Sequence, residues 1–115
     1  MAEHCLFCGI VTGNVPADVV RDGERTVAFR DVNPQAPVHV LVIPRDHHAD
    51  LGALAAADPT LLAEVFREAA AVAAAEGLAD SGYRVVVNSG RDSGQTVAHL
   101  HAHVLGGRGL GWPPG

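Results

Sequence analysis

Residues 93–108, SGQTVAHLHAHVLGGR, place His99, His101 and His103 at alternate positions. Apolar and β-branched residues stand between and around them, which predicts a β-strand over residues 96–105. Because side chains alternate across a strand, the three imidazoles are expected on one face and the apolar residues on the other. The stretch therefore predicts a sheet with a core on one side and a histidine-bearing site on the other.

Three further runs predict strands. Residues 26–31, 39–44 and 83–88 are alternating or β-branched and are bounded by Asp, Pro, Gly or Asn. The Asp22-Gly23 pair predicts a hairpin turn between the first of these strands and a strand before it. Together with the histidine strand, these runs give five strands.

Residues 57–77 predict the one long helix of the chain. Asp58 is a favourable N-cap, Pro59 suits the first helical position, and Gly77 suits the position after the C-cap. The order of strands and helix predicts an α+β fold in which an antiparallel five-stranded sheet packs this helix on one face. The apolar stripe expected to face the sheet comprises Leu61, Leu62, Val65, Phe66, Ala69, Ala70 and Ala73.

Composition limits the classes of protein to which the chain can belong. With 115 residues, 48% of them hydrophobic, residues 1–115 are expected to form a single domain. The net charge of −5, without a run of Lys or Arg, argues against a nucleic-acid or anionic-membrane surface. Residues 1–10 lack the pattern of a signal peptide, and no apolar run is long enough to span a bilayer. With two cysteines, these features favour a cytoplasmic protein.

Three interpretations of the alternating histidines can be compared. A solvent-exposed strand would explain one histidine but not three, because Thr, Lys or Glu would serve such a face equally well. A three-histidine metal site is disfavoured, since same-face positions of a strand lie about 6.5–7 Å apart and span too far to close easily on one ion. In the third interpretation a neutral imidazole acts as a nucleophile toward phosphorus.

The loop at residues 88–96, NSGRDSGQT, favours nucleophilic catalysis. Its glycines allow backbone N–H groups to turn toward an anion, and Asn88, Gln95 and Thr96 add side-chain donors. A phosphate held there would lie beside the imidazole row. Neighbouring imidazoles also disfavour each other's protonation, which keeps a nucleophile neutral near pH 7.

The stretch HLHAHVL at residues 99–105 resembles the His-φ-His-φ-His-φ-φ pattern of the histidine-triad (HIT) family. The resemblance extends from about Cys5 to Gly115 and is closest to the branch of histidine-triad nucleotide-binding (HINT) proteins, in its bacterial form. The segments that carry it are residues 31–47, 83–90, 94–108 and the terminal WPPG at 112–115.

The resemblance implies a hydrolase that cleaves nucleoside 5′-phosphoramidates or AMP esters at the α-phosphate, without a catalytic cofactor. His101 would be the nucleophile and form a nucleotidyl-histidine intermediate. His103 would contact the phosphate and assist the leaving group, and His99 would hold the triad in its tautomer and orientation. His39 is implied beside the triad, although an ordinary strand histidine would explain it equally well.

The resemblance also implies how a purine nucleoside monophosphate is held. Asp31 matches the position that binds the ribose hydroxyls, although a strand-end Asp before a turn is common. Members of this type are homodimers whose sheets join into one of ten strands, with the tail around Trp112 reaching toward the partner's site. The implied nucleotide-binding residues are Leu6, Phe7, Val15, Phe29, Asp31, Val32, Leu41, Asn88, Gly94, Gln95, Thr96, His101, His103 and Trp112.

Cys5 and Cys8, in the stretch CLFC, have the spacing of half a structural zinc site. No second C-x-x-C occurs in the chain, so the remaining ligands would have to be histidines. The resemblance to zinc-containing bacterial HIT proteins implies His47 and His99, with the adjacent His48 as an alternative to the former. Without a metal, the two cysteines would be small apolar residues on a first helical turn.

Two functions from different classes follow. The first is the nucleotide hydrolase described above, acting on purine nucleoside monophosphate derivatives as a homodimer without nucleic-acid or membrane partners. The second is a nucleotide-binding regulatory or scaffold protein whose turnover is incidental. Both require the same pocket, so the sequence does not separate them.

Overall fold

Five strands form one antiparallel sheet in the computed structural model, which describes residues 5–115. The α+β fold expected from the sequence is confirmed, and the sheet order is β1-β2-β3-β5-β4. The strands are β1 (Val19–Asp22), β2 (Thr26–Arg30), β3 (Val38–Pro44), β4 (Tyr83–Val87) and β5 (Ala102–Gly106). The helices are α1 (Leu6–Thr12), α2 (Leu51–Ala57) and α3 (Pro59–Ala75), and a short 3₁₀ turn covers Arg91–Ser93.

β3 is the central strand and is buried on both faces. Val40 and Val42 are 0% exposed and pack in the larger core, between the sheet and α3. Leu41 and Ile43, which alternate with them, belong to a smaller core on the opposite face, under α1. The period of two along one strand therefore builds two cores, and the second core carries the candidate site.

The long helix has the ends expected from the sequence. The Asp58 side chain accepts a hydrogen bond from the Leu61 N–H at 3.0 Å, and Pro59 begins the helix. Gly77 follows the C-cap with φ at +78°, a conformation that glycine adopts without strain.

The predicted apolar stripe of α3 is too wide. Leu61, Val65 and Ala69 are buried, but Phe66 is 41% exposed and Ala70 is also exposed. The buried residues follow steps of four and three, and each exposed residue lies one position beyond a buried one, about 100° further around the helix. Val72, which was not in the predicted stripe, is buried instead.

α1 and α2 are separate helices that the sequence patterns do not predict, apart from the helical turn named as one alternative for Cys5 and Cys8. Asp50 caps α2 by accepting from the Ala53 N–H at 2.9 Å, and Leu54 is the residue that this helix buries. Gly13, with φ at +84°, ends α1. Asp50 and Gly13 are ordinary cap signals, but each helix is only seven residues long and shows little periodicity.

The β1–β2 hairpin turns slightly later than predicted. The Gly23 N–H donates to the Thr26 carbonyl at 2.9 Å, so Glu24 and Arg25 form the tip of the turn rather than Asp22 and Gly23. Within residues 5–115 no helix has the length and apolar character that a bilayer crossing requires. The first residues of the stretch inspected for a signal peptide lie outside the described part.

Asp58 is expected to contribute more to stability than its exposure suggests, because it caps α3 and also pairs with Arg25 at 2.7 Å. Replacing Asp58→Ala should lower the free energy of unfolding by about 1–2 kcal/mol, the usual cost of a lost N-cap. Urea denaturation at neutral pH measures this change. The matched control is Asp80→Ala, at an exposed turn position outside any helix; equal losses in both variants would contradict the capping role.

Candidate functional site

The triad histidines lie at the start of β5 rather than along it. The strand predicted over residues 96–105 is wrong for its first half, because β5 begins at Ala102 and only His103 belongs to it. His99 and His101 precede it in an irregular segment. The rings nevertheless stay adjacent, with 5.0 Å between the centroids of His101 and His103.

The pairing of β5 with both of its neighbours stops at Ala102. This residue opposes Val42 of β3 and Val87, where β4 ends, although β3 itself continues to Pro44. The Leu100 N–H donates instead to the His48 carbonyl at 2.7 Å. The chain therefore leaves the sheet with its backbone partly satisfied by the loop after β3, which turns the first two histidines beneath α1.

Two carbonyl groups fix the protons of His99 and His101. A carbonyl oxygen only accepts, so His99 donates its Nε2–H to Pro44 at 2.8 Å. For the same reason His101 donates its Nδ1–H to the His99 carbonyl at 2.8 Å. In their neutral forms His99 therefore has a lone pair on Nδ1, and His101 has one on Nε2.

A second chain of hydrogen bonds fixes the protons of His39 and His103. The Gln35 N–H donates to His39 Nδ1 at 3.0 Å, so neutral His39 carries its proton on Nε2. That Nε2–H donates to His103 Nδ1 at 2.9 Å, which leaves His103 with an Nε2–H. His103 Nε2 is buried and has no hydrogen-bond partner in the described residues. The hydrogen bonds of these rings thus leave two different groups free for a ligand. His101 offers a lone pair on Nε2, and His103 offers an N–H donor at Nε2.

Asp31 completes this second chain. Its Oδ2 lies 3.4 Å from His39 Nε2, and its Oδ1 accepts from the Asn33 N–H at 2.8 Å. Asp31, His39 and His103 place three atoms that could bind a metal within 4.8 Å of one another. A cation there would need a lone pair on His39 Nε2, which the Gln35 N–H excludes in a neutral ring, so the group suits proton transfer better than metal binding.

Burial lowers the pKa of both histidines in this chain. Removal from solvent is the main cause for His39, and the charge of Asp31 partly opposes it. For His103, burial and the nearby His101 and His39 lower the pKa to about 4. Both rings are therefore neutral near pH 7 when the site holds no anion.

A cavity of about 410 Å³ lies between α1 and the sheet and includes two triad histidines. Ten residues implied by the resemblance line it, and its surface is mainly apolar. They are Leu6, Phe7, Val15, Phe29, Asp31, Val32, Leu41, Thr96, His101 and His103. Phe7 stands edge-on to both Phe29, at 5.4 Å, and His101, at 5.0 Å, so α1 holds one wall against the nucleophile candidate.

The structure places four other implied residues outside the cavity wall. Gln95 uses its amide on the backbone: it accepts from the Gly90 N–H and donates to Ala49 and Val97 carbonyls. It braces the loop that follows β4 rather than offering its side chain to a ligand. The Trp112 side chain is 83% exposed. Asn88 and Gly94 are the remaining two; Gly94 ends the 3₁₀ turn with φ at +89°.

Five lining residues escaped the sequence analysis. Ile10 follows Leu6 by four positions, so both residues lie on one face of α1. This spacing indicates a shared face only once the helix is known. Val97 precedes the triad in the irregular segment, for which the sequence predicts a strand. Pro16, Ala17 and Arg30 line the wall as well, and no sequence pattern marked them.

The predicted metal ligands come together although they derive from three segments. Cys5, Cys8, His47 and His99 bring four ligand atoms within 4.8 Å of one another, and His48 is not among them. The Nδ1 of His99 lies 3.4 Å from Cys5 Sγ and 3.5 Å from Cys8 Sγ, and His47 Nδ1 lies 3.2 Å from Cys8 Sγ.

These distances fit a tetrahedral zinc site. Bonds of about 2.3 Å to sulfur and 2.0 Å to nitrogen separate the ligand atoms by roughly 3.5 Å. The Pro44 carbonyl holds the proton of His99 on Nε2, so the lone pair on Nδ1 faces the thiols. Without a metal, burial and the neighbouring Cys5 raise the pKa of Cys8 to about 11, so zinc binding would release its proton.

Comparison with known proteins agrees with this geometry. The HIT domain family matches residues 12–110. The chain belongs to the HIT domain family. An uncharacterized HIT-like protein of Synechococcus elongatus is 50% identical over 115 residues, 100% of both chains. The purine nucleoside phosphoramidase of Escherichia coli is 40% identical over 111 residues, 96% of this chain and 93% of that protein.

A solved structure extends the likeness to three dimensions. The HIT family hydrolase from Legionella pneumophila Philadelphia 1 superposes with a TM-score of 0.94 at 47% identity. The match covers 97% of this chain and 100% of that one. The HIT fold implied by the triad pattern is therefore confirmed.

The lowered pKa of His103 predicts a pH dependence of stability. Its value in the folded chain, about 4, lies below the unfolded value of 6.5, so the unfolded chain binds more protons between these values. The free energy of unfolding should therefore fall as the pH falls through this window. His39, whose pKa is also lowered, adds to the effect.

Urea denaturation from pH 7.5 to about 4.5, with a chelator present throughout, tests this dependence. The His103→Asn variant should show a shallower fall than the wild type, and His48→Asn controls for loss of an imidazole outside the cavity. Equal slopes in the wild type and His103→Asn would contradict the assignment.

Proposed function

We propose that this HIT protein is a purine nucleotide hydrolase that cleaves nucleoside 5′-phosphoramidates or AMP esters at the α-phosphate. The observation that carries the proposal is the hydrogen bonding of two adjacent rings, which favours a lone pair on His101 Nε2 and a proton on His103 Nε2. The name of the Escherichia coli relative, a purine nucleoside phosphoramidase, supports the substrate class.

In the first step His101 Nε2 attacks the α-phosphorus. A nitrogen–phosphorus bond forms as the bond to the leaving nitrogen or oxygen breaks, giving a nucleotidyl-histidine. The ring becomes cationic, and its Nδ1–H donates to the His99 carbonyl, which stabilises the charge. No metal is required for this step, since the nucleophile is a neutral ring already oriented by the backbone.

His103 assists the departure of the leaving group. Its Nε2–H donates a hydrogen bond to the leaving nitrogen or oxygen and stabilises the negative charge that develops there as the bond breaks. The leaving group then takes up a proton from solvent. In the second step a water molecule attacks the phosphorus, the bond to His101 Nε2 breaks, and the proton of that water is released to solvent, which leaves AMP and a neutral His101.

The residues of the cavity wall support the proposal for the rest of the nucleotide. Asp31 is the carboxylate of the wall and would accept hydrogen bonds from the ribose hydroxyls. Phe7, Phe29 and Leu41 are apolar and would enclose the purine. Thr96 would contact the phosphate, with Asn88 and Gly94 nearby along the loop, and Gln95 would hold that loop in place.

The proposal includes a homodimer, in which a second copy of the chain continues the sheet. β4 pairs only with β5 among the described residues, so its other edge is open and could continue the sheet to ten strands. The Arg84 side chain, on β4, donates to the Gly111 carbonyl at 2.8 Å and ties the tail to that edge. Trp112, in the same tail, would then approach the partner's site.

Zinc would have a structural role here. Bound by Cys5, Cys8, His47 and His99, it would tie the start of α1 to the segment that carries the triad. It would also hold the His99 backbone, whose carbonyl orients His101.

Protein purified without chelator is expected to contain one zinc ion per chain by elemental analysis. His47→Asn should lose that zinc, whereas the matched neighbour variant His48→Asn should keep it, because His48 is not in the ligand group. A metal-free wild type would contradict the site, and so would loss of zinc in His48→Asn alone.

His101→Asn separates the hydrolase from a protein that only binds nucleotide. Hydrolysis of a fluorogenic adenosine phosphoramidate should fall by a factor of about 10⁴ or more, as for other lost nucleophiles, while calorimetry still shows AMP binding. Wild-type protein quenched in alkaline denaturant should carry the nucleotidyl mass on residue 101. Wild-type turnover in the variant would refute the nucleophile. AMP binding without turnover by the wild type would favour a regulatory protein.

A further inference from the structure

The first turn of α1 belongs to two sites at once. Cys5 and Cys8 are free thiols within 4.8 Å of each other, and the Cys8 N–H donates to Cys5 Sγ at 3.4 Å. Leu6 and Phe7, the two residues between them, line the cavity that would hold the nucleotide. Any change in this turn therefore changes the wall of that cavity.

The thiols are also connected to the proposed nucleophile. Both sulfur atoms lie 3.4–3.5 Å from His99 Nδ1. The His99 carbonyl accepts a hydrogen bond from the Nδ1–H of His101. His99 is therefore the single residue that connects the thiols to the ring of the proposed nucleophile. Phe7 adds a second path, because its ring stands 5.0 Å edge-on from that of His101.

The thiols can be reached from solvent. A cavity of about 490 Å³ opens beside Cys5 and is separate from the nucleotide cavity, although Leu6, Thr96 and Val97 line both. Cys5 and Cys8 are only partly buried, and they are the only cysteines of the chain. An intrachain disulfide can therefore form in one way alone.

We propose that Cys5 and Cys8 are a redox switch, closing to a disulfide that weakens nucleotide binding and turnover. The oxidant is a low-molecular-weight disulfide such as oxidised glutathione. One cysteine attacks it, forming a mixed disulfide and releasing one small thiol. The second cysteine then attacks the first, forming the intrachain bond and releasing the other small thiol. Two cysteines are oxidised, one small disulfide is reduced to two thiols, and the two cysteine protons leave with them.

The switch also excludes metal. In the disulfide, neither sulfur is a thiolate that can bind zinc. The two sulfur ligands that lie beside His99 Nδ1 are therefore removed from the metal site. Oxidation would then release zinc and free the first turn of α1 to carry Leu6 and Phe7 away from the base. The effect on turnover rests on the function proposed above, and the change in AMP affinity rests on its nucleotide cavity, but formation of the disulfide depends on neither.

The test incubates the purified full-length protein with ratios of oxidised to reduced glutathione, followed by maleimide labelling and intact mass. Both thiols should disappear together and return on addition of dithiothreitol, with any bound zinc appearing in a metal indicator. AMP affinity of the oxidised form should fall about tenfold, as expected for loss of one aromatic contact with the base. Turnover should fall with it and recover on reduction.

Cys8→Ser is the matched control, because its remaining thiol forms only a mixed disulfide. Its AMP affinity, whatever its starting value, should change much less between reduced and oxidised glutathione than that of the wild type. Thiols that stay reduced in excess oxidised glutathione would overturn the proposal, as would an oxidised protein with unchanged AMP affinity. Absence of turnover in the reduced protein would instead refute the hydrolase and leave the thiol and binding results to decide the switch.

Discussion

The structure depends on β3 being buried on both of its faces. Val40 and Val42 enter the core beneath α3, while Leu41 and Ile43 enter the core beneath α1. His39 continues the second set, so the strand that joins the two cores also delivers the ring that contacts His103. Because the alternation has a period of two, a shift of one residue in register would exchange the two faces. It would also remove His39 from the site. The geometry of the site is therefore as strongly specified as the hydrophobic core.

The protons of the site are set by backbone groups, whose chemistry does not vary with the side chain. The carbonyls of Pro44 and His99 accept, and the Gln35 N–H donates. These three groups decide which nitrogen of each of four histidines carries a proton. A backbone donor or acceptor cannot reverse its role, whereas a hydroxyl or an imidazole can. Fixing a tautomer through the backbone thus leaves a lone pair on His101 Nε2, which the proposed mechanism uses as its nucleophile without a strong base.

The elements with strong local signals could be predicted from the sequence. Asp58, Pro59 and Gly77 marked α3, and alternation marked the strands around it. The short helices α1 and α2 could not be found in the same way, because seven residues, about two turns, give too little periodicity to distinguish a helix from a loop. The late start of β5, at Ala102, was equally hidden. It depends on where the pairing with β3 and β4 stops, at Val42 and Val87, which is a tertiary fact that no pattern within residues 96–105 records.

The residues of the candidate site also divide into those that the sequence identifies and those whose role only the fold explains. Spacing alone gave the histidines and the cysteines, and the resemblance to HIT proteins assigned them partners that the fold brings together. The role of Gln95 differs, since an amide beside a glycine-rich loop could face a phosphate or brace the loop. Only the positions of the Ala49 and Val97 carbonyls show that it braces the loop. A polar side chain near a site can serve the ligand or the backbone, and the sequence does not distinguish these.

The segment from His99 to His101 carries two chemistries in three residues. The ring of His99 faces the thiols, and its carbonyl faces the next histidine. One residue can serve both because its side chain and its main chain point in different directions, and the Pro44 carbonyl fixes the ring. Because His99 takes part in both sites, it also couples them: a tilt of its ring would tilt the peptide whose carbonyl holds His101. Because both lie under one seven-residue helix, the proposed metal site and the proposed nucleotide cavity are coupled through shared residues.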